Sequence, residues 1–172
     1  MHPHAQLIQN FYTSFQRRDA AGMVACYHPE VVFFDPVFMR LEGARAGAMW
    51  QMLCGRAKDL EISVTNVRAD DETGAAHWEA IYTFSKTGRQ VHNRIEATFE
   101  FKDSQIIRHT DVFDLSKWAA MALGPTGFSE ARGRPAADCP GSCSPRNVRL
   151  GRFSGLGGDV RAVKVCFTPL RV

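Results

Sequence analysis

The sequence predicts an α+β fold in which a curved antiparallel sheet wraps around N-terminal helices and encloses a cone-shaped pocket. Apolar residues recur at helical spacing early in the chain. Segments of alternating apolar and polar residues, separated by short polar turns, follow from residue 60 onward. Helices followed by a run of strands are typical of this class. Because a long sheet of this kind is strongly twisted, its inner face encloses a cone with an apolar deep end.

Three helices are predicted in the first part of the chain. The first covers residues 3–18, where the apolar stripe consists of Leu7, Ile8, Phe11, Tyr12 and Phe15. Asp19 is a suitable N-cap for a short helix over residues 20–27. A third helix is predicted over residues 45–56.

The strands form a short first segment and a four-stranded meander. Residues 28–30 are predicted to be a connector before a strand over residues 31–35, which Pro36 ends because proline cannot donate to a ladder. The meander strands are predicted at residues 60–69, 76–85, 90–102 and from 104 onward. Ser116 is the expected cap of a last helical turn.

The last meander strand carries the candidate site. Side chains alternate along a strand, so one face is predicted to carry Ile107, His109, Asp111 and Phe113, and the other Ile106, Arg108, Thr110 and Val112. An imidazole and a carboxylate on an apolar wall are suited to moving protons, because burial shifts their pKa values and each influences the other. The alternative is a surface ion pair near a strand end.

Composition excludes several classes of protein. Residues 1–124 contain 13 Lys and Arg and 15 Asp and Glu, so their net charge is −2 and no nucleic-acid surface is expected. No apolar run is long enough for a membrane span, and no secretory leader is recognisable. The 5 cysteines are irregularly spaced, so we expect a reducing, cytoplasmic location without a disulfide framework.

Several local matches then appear in order along the chain: the helical stripe before Asp19, the Phe34-Asp35-Pro36 turn, Gly43 before the third helix, and the strand end at residues 111–114. In this order, residues 4–123 resemble the SnoaL-like, ketosteroid-isomerase-like group of the nuclear transport factor 2-like (cystatin-like) superfamily. The resemblance implies the cone fold, but the fold hosts many chemistries and some pure binding proteins.

Ketosteroid isomerases, one template in this group, use a carboxylate base in an Asp-Pro pair after the first strand, and Asp35 with Pro36 fits that position. Their two oxyanion donors fall on Phe11 and Ala97, neither of which can donate a hydrogen bond from its side chain. The resemblance therefore does not support steroid isomerisation.

Two further templates point to the last strand. The pocket aspartate of limonene-epoxide hydrolases falls on Asp111, while their paired arginine and aspartate fall nearest His77 and Glu79. SnoaL-type polyketide cyclases use an acidic residue on the last strand as a base, which His109 and Asp111 fit in general terms. These cyclases need no cofactor or metal, only a dry pocket and a proton acceptor.

We therefore predict a cofactor-independent acid/base enzyme (a cyclase, isomerase, dehydratase or hydrolase) that acts on a small hydrophobic molecule. The predicted catalytic residues are Asp111, His109 and Asp35. The predicted substrate-binding residues are Phe11, Phe15, Trp50, His77, Glu79, Ala97 and Phe113. No metal site is predicted. The alternative is a non-catalytic domain that binds a small ligand or serves as a dimeric interaction module.

The predicted domain covers residues 1–124, and residues 125–172 are expected to be a disordered or irregular tail. The tail is rich in glycine, proline and arginine and has no sustained helical stripe. A homodimer is expected through the outer face of the sheet, where the third meander strand carries His92, Arg94, Glu96, Thr98 and Glu100. No nucleic acid or membrane partner is expected.

Overall fold

A computed structural model describes residues 1–56 and 59–133. The helices are α1 (Pro3–Gln16), α2 (Ala20–Ala25), α3 (Ala44–Arg56) and α4 (Leu115–Gly133). The strands are β1 (Tyr27–Asp35), β2 (Met39–Glu42), β3 (Glu61–Ala69), β4 (Thr73–Phe84), β5 (Arg89–Lys102) and β6 (Gln105–Val112). This arrangement confirms the predicted α+β class, and the meander and the third helix lie where the sequence placed them.

All six strands form one sheet in the order β2-β1-β6-β5-β4-β3. The β3–β6 meander is antiparallel, as predicted, and β2 pairs antiparallel with β1. The pairing of β1 with β6 is parallel, so the sheet is mixed and not wholly antiparallel. Because β1 lies directly beside β6, residues from the first and last strands come together on one wall.

The first strand is longer than predicted, and its partner β2 was missed. Residues 28–30 are not a connector but belong to β1, because the strand already pairs with β6 at Tyr27, which lies opposite Ile106. The second helix consequently ends at Ala25. Pro36 does end the strand, but the turn after it leads straight into β2.

The last helix begins and ends differently from the prediction. Asp114, not Ser116, caps it, because the Asp114 Oδ1 accepts a hydrogen bond from the Lys117 backbone N–H at 3.0 Å. The helical backbone continues to Gly133, with a kink at Gly124 where φ is 76°. Helix therefore extends into the first part of the segment expected to be irregular. Residues 134–172 lie outside the described part of the chain, so the expectation for them stays a prediction.

The core lies between one face of the sheet and the helices. On β5 the buried side chains are Val91, Ile95, Ala97 and Phe99. Helix α1 packs on β3 and β4, α3 packs on β1 and β2, and α4 packs on β5. A β-bulge in β6 changes its predicted alternation, since Glu100 and Phe101 pair with Arg108 and Ile106 and leave Ile107 as the extra residue. Ile106 is therefore buried on the inner face.

Among the described residues, no helix has both the length and the apolar character needed to cross a membrane.

Candidate active site

The inner face of the sheet borders a cavity of about 160 Å³. Exposed residues at the end of α3 and in the β4–β5 turn form its rim, including Arg56, Thr83, Ser85 and Lys86. Most of the wall is apolar or aromatic and includes Phe15, Phe33, Met49, Trp50, Trp78, Phe113 and Trp118. The polar groups of the inner wall are Asp35, Asp111, Asn93 and Tyr82. The cavity thus offers an apolar enclosure with few polar groups, which is typical of a small-molecule site.

Asp111 and His109 lie side by side on β6, as the predicted alternation requires. The Asp111 Oδ1 accepts a hydrogen bond from Trp78 Nε1 at 3.1 Å and lies 3.0 Å from His109 Nε2. The His109 side chain is fully buried and that of Asp111 is 3% exposed. The surface ion pair considered from the sequence is therefore excluded for these two residues.

Tyr27 extends this pair into a buried chain of hydrogen bonds. Its Oη lies 2.7 Å from His109 Nδ1 and accepts a hydrogen bond from Trp50 Nε1 at 3.0 Å. Burial raises the pKa of Tyr27 well above its usual value of 10, with the Trp50 hydrogen bond opposing the shift and the Asp111 charge adding to it. Tyr27 therefore keeps its proton across the physiological range.

The imidazole of His109 is enclosed by aromatic rings. Five rings surround it at centroid distances of 4.5 to 6.1 Å: Phe11, Tyr27, Phe33, Trp50 and Phe99. Trp50 stacks nearly parallel to the imidazole, at 18°. These contacts exclude water from the imidazole, so its polar partners are Tyr27 and Asp111.

Asp35 provides a second carboxyl group at the cavity. Its Oδ1 accepts hydrogen bonds from the backbone N–H groups of Val37 and Phe38, which fixes the carboxyl in the turn after β1. Burial raises the pKa of Asp35 from 3.8 to about 6; the two backbone hydrogen bonds oppose this, and the Asp111 charge adds to it. Asp35 therefore both forms the turn after β1 and lines the cavity.

The structure brings most of the predicted site residues together, at different depths. Phe15, Trp50 and Phe113 line the cavity, as expected for substrate contacts. Phe11 and Ala97 do not line it, because Phe11 lies behind the wall against His109 and Ala97 is the buried β5 partner of Asp111. These two residues therefore pack in the core behind the site and do not contact the cavity.

His77 and Glu79 are not at the cavity, so their predicted place is wrong. The inner face of β4 carries Trp78 and Ala80, so its alternation turns His77 and Glu79 to the outer face. There His77 Nδ1 lies 2.7 Å from Glu96 Oε1, while Glu79 contacts His77, His92 and Arg94. This pair therefore lies on the solvent side of β4.

Two partners of the site were missed from the sequence. Tyr27 was assigned to the end of the second helix, and Trp78 was not among the predicted site residues. Trp78 could have been found from the alternation of Trp78, Ala80 and Tyr82. Tyr27 could not, because its role depends on the parallel pairing of β1 with β6.

Tyr12, next to Phe11 on α1, is also fully buried, and its hydroxyl has no hydrogen-bond partner within the described part of the chain. Its ring packs on Trp78 at 5.6 Å. Burial raises the pKa of Tyr12 well above 10, and the Asp111 charge adds to the shift. The hydroxyl therefore stays protonated beneath the site.

Among the side chains that the structure describes, no group of three or more His, Cys, Asp or Glu is placed to hold a metal ion. The chemistry that these residues can supply directly is proton transfer between carboxyl groups and a bound molecule.

Comparisons with solved structures show the same fold. One neighbour is a proposed polyketide cyclase from Xanthomonas campestris pv. campestris, at 21% identity and TM-score 0.58, with 70% of this chain and 96% of that chain covered. A second is an LEH-like epoxide hydrolase from M. tuberculosis, at 18% identity and TM-score 0.60, with 74% and 96% covered. A third is AclR, a proposed hydroxylase from Streptomyces galilaeus, at 16% identity and TM-score 0.60, with 70% and 95% covered.

A comparison of the sequence with curated proteins gives no significant match. The family comparison is decisive, since the model of the SnoaL-like domain matches residues 8–109, more than half of the chain. The matched segment contains most of α1, the helices α2 and α3, and the strands up to His109. The chain therefore belongs to the SnoaL-like domain family.

Proposed function

We propose that this protein is a cofactor-independent acid/base enzyme that acts on a small, mainly apolar molecule bound in the cavity. The observation that carries the proposal is the opening of two carboxyl groups, Asp111 and Asp35, onto an otherwise mainly apolar cavity. Two carboxyl groups in different environments can divide the roles of base and acid between them. The solved neighbours described as a polyketide cyclase and an epoxide hydrolase support chemistry of this general kind.

Asp111 is the proposed base. Its Oδ1 is occupied by Trp78 and His109, whereas its Oδ2 makes no hydrogen bond with any described residue and remains for a ligand. A base in a low-dielectric wall accepts a proton from an acidic C–H or from a water molecule held against the substrate. In either case the proton goes to the carboxylate, and the electron pair remains on the substrate carbon or the water oxygen.

Asp35 is the proposed acid. Because burial raises its pKa to about 6, its carboxyl changes charge close to neutral pH, where general acids are most effective. Its fixed position in the turn after β1 directs it toward the same cavity as Asp111. A proton given to a substrate oxygen by Asp35 would balance the proton taken by Asp111.

The size of the cavity limits the substrate. A closed apolar cavity of about 150 Å³ holds a molecule of benzene size, and the cavity here is about 160 Å³. Larger molecules must extend through the rim toward Arg56 and Lys86. We therefore propose a substrate with one ring or a short apolar chain at the deep end.

Hydrogen–deuterium exchange into simple carbonyl compounds tests the proposal. The protein is incubated in D₂O with a panel of small apolar ketones and β-keto esters, and NMR follows exchange at the acidic C–H. We expect Asp111→Asn to reduce catalysed exchange by roughly 10²–10⁴, the usual contribution of a general base. Glu79→Gln is the matched control, because it makes the same chemical change on the outer face, and we expect it to leave exchange unaltered.

The non-catalytic alternative predicts a different result. Binding of panel members, seen as quenching of Trp50 and Trp78 fluorescence, without exchange or hydrolysis would contradict the enzyme and favour a ligand-binding domain. Epoxides belong in the panel, since their hydrolysis would identify water as the proton source. Exchange that survives Asp111→Asn but is lost in Asp35→Asn would move the base to Asp35.

A further inference from the structure

We propose that Tyr27 and Trp50 are positioning residues that hold His109 as the neutral tautomer protonated on Nε2, so that Asp111 presents one basic oxygen, Oδ2, to the cavity. The inference rests on the proposed function and deepens it, because it assigns the proton positions behind the base. It follows from counting donors and acceptors along the buried chain of hydrogen bonds.

The count begins at Trp50. An indole nitrogen can only donate, so the Tyr27 oxygen, 3.0 Å from Trp50 Nε1, must accept from it. Tyr27 Oη has one further partner in the described part of the chain, His109 Nδ1 at 2.7 Å. The hydroxyl hydrogen of Tyr27 can therefore be satisfied only by donation to that imidazole nitrogen.

The alternative arrangement leaves a buried donor without a partner. If His109 carried a proton on Nδ1 and donated it to Tyr27, the hydroxyl hydrogen of Tyr27 would have no acceptor. Buried donors without acceptors are strongly disfavoured. Burial raises the pKa of Tyr27 well above 10, so loss of its proton does not resolve the conflict.

The count ends at Asp111. With Nδ1 acting as an acceptor, a neutral imidazole carries its hydrogen on Nε2, which lies 3.0 Å from Asp111 Oδ1. Trp78 donates to the same oxygen at 3.1 Å. Both protein donors thus converge on Oδ1, while Oδ2 makes no hydrogen bond with a described residue. An incoming proton is therefore directed to Oδ2.

The surroundings of His109 maintain this arrangement. The titratable groups that act on it are Tyr27, Asp111 and, through its charge, Asp35. The remaining contacts are aromatic rings, which provide no competing donor or acceptor to the ring nitrogens. Rotation of the imidazole would break both hydrogen bonds at once.

Nitrogen NMR of histidine tests the inference directly. In protein labelled with ¹⁵N-histidine, long-range ¹H–¹⁵N spectra at pH 7 distinguish the two neutral tautomers from the imidazolium ion. The chain has 6 histidines, and His109→Gln identifies the signals of His109 by their loss. We expect Nδ1 of His109 to be unprotonated and Nε2 to be protonated. An Nδ1-protonated tautomer or an imidazolium ion would overturn the proposal.

Two variants then separate positioning from a merely structural role. Tyr27→Phe removes the donor to Nδ1, so we expect His109 to lose its single tautomer and to show a mixture or an imidazolium ion. Trp50→Phe removes the bond that orients the hydroxyl but keeps an aromatic ring beside His109, and we expect a smaller shift in the same direction. An unchanged tautomer in folded Tyr27→Phe protein would also overturn the proposal. His77 is the internal control, because it lies on the outer face and its signals should not move.

The result is independent of substrate. If His109 has a different tautomer but Asp111→Asn still lowers exchange as expected, only the positioning role of Tyr27 and Trp50 fails. If the tautomer is correct and neither exchange nor hydrolysis is found, the proposed function fails and the hydrogen-bond chain remains.

Discussion

Two pairs of a histidine and an acidic residue with the same spacing lie on the meander strands, His109 with Asp111 on β6 and His77 with Glu79 on β4. The first pair is 0% and 3% exposed and joins a buried hydrogen-bond chain beside the cavity. The second is 23% and 29% exposed and takes part in a cluster of surface ion pairs. The difference shows that spacing along a strand identifies a pair, whereas the face of the sheet decides what the pair can do.

The physical contrast between the pairs is solvation. On the outer face, the hydrogen bonds that His77 donates to Glu96 and Glu79 raise the pKa of His77, and hydrogen bonds from His92 and His77 lower the pKa of Glu79. Both side chains are partly exposed, so water and salt screen their contacts and each contact contributes little. On the inner face the environment is apolar. Replacing one partner of the pair therefore leaves the polar atom of the other buried without a hydrogen bond.

Replacement of the two histidines should expose this contrast most strongly. His109→Ala removes a fully buried ring and leaves Tyr27 and Asp111 without a partner, so we expect the free energy of unfolding to fall by roughly 3–5 kcal/mol. His77→Ala should lower it by no more than about 1 kcal/mol. Urea unfolding of both variants measures the difference, and equal losses would contradict the assignment of the two faces.

The pH dependence of stability should differ in sign between the two faces. Asp35 has a folded-state pKa of about 6, so the folded state binds its proton more tightly than the unfolded state. Stability should therefore fall as pH rises from about 4 to about 6, by at most about 3 kcal/mol, at 1.36 kcal/mol per pKa unit. Asp35→Asn keeps the acceptor for Val37 and Phe38 and should remove this slope.

Glu79 should show the reverse. Hydrogen bonds from His92 and His77 lower its pKa below 4.5, so its contribution to stability is present above that value and is lost as pH falls through the folded-state pKa. Urea unfolding from pH 8 down to about pH 2 follows both effects, since the Glu79 contribution is lost only below pH 4.5. A fall in stability with rising pH that persists in Asp35→Asn and disappears in Glu79→Gln would contradict the assignment of this slope to Asp35.

The smallest expected effect concerns association through the outer face, which we still propose as the dimer contact. Phe34 and Val112 are exposed there by 37% and 57%, next to the polar row of β5. Val112→Lys should weaken a dimer at least about tenfold, or about 1.4 kcal/mol. Gln51→Lys on α3 is the control for added charge. Light scattering of the wild-type protein is measured first. A monomer at high concentration would contradict a dimer contact on the outer face.

Much of the fold could be predicted because local patterns specify it. The apolar stripe of α1 and the alternation on β5 each identify an element and the face that it buries. The errors lie where a long-range pairing overrides the local pattern. Tyr27 and residues 28–30 join β1 because β6 lies alongside, and β2 exists because the turn at Asp35 returns the chain to β1.

The candidate site divides in the same way. The sequence by itself determined that His109 and Asp111 share a face, because side-chain alternation is a property of a single strand. It also determined that Asp35 ends a strand, since proline follows. These relations are local and do not depend on any neighbouring element.

The tertiary structure alone decided which faces turn inward, so that His109 is enclosed and His77 is solvated. It also decided that Tyr27, Trp50 and Trp78 complete the chain of hydrogen bonds. The physical reason is that burial and hydrogen-bond partners depend on elements distant in sequence, Tyr27 and His109 being 82 residues apart. Alternation restricts each side chain to one of two faces, and only packing against the helices determines which face is inside.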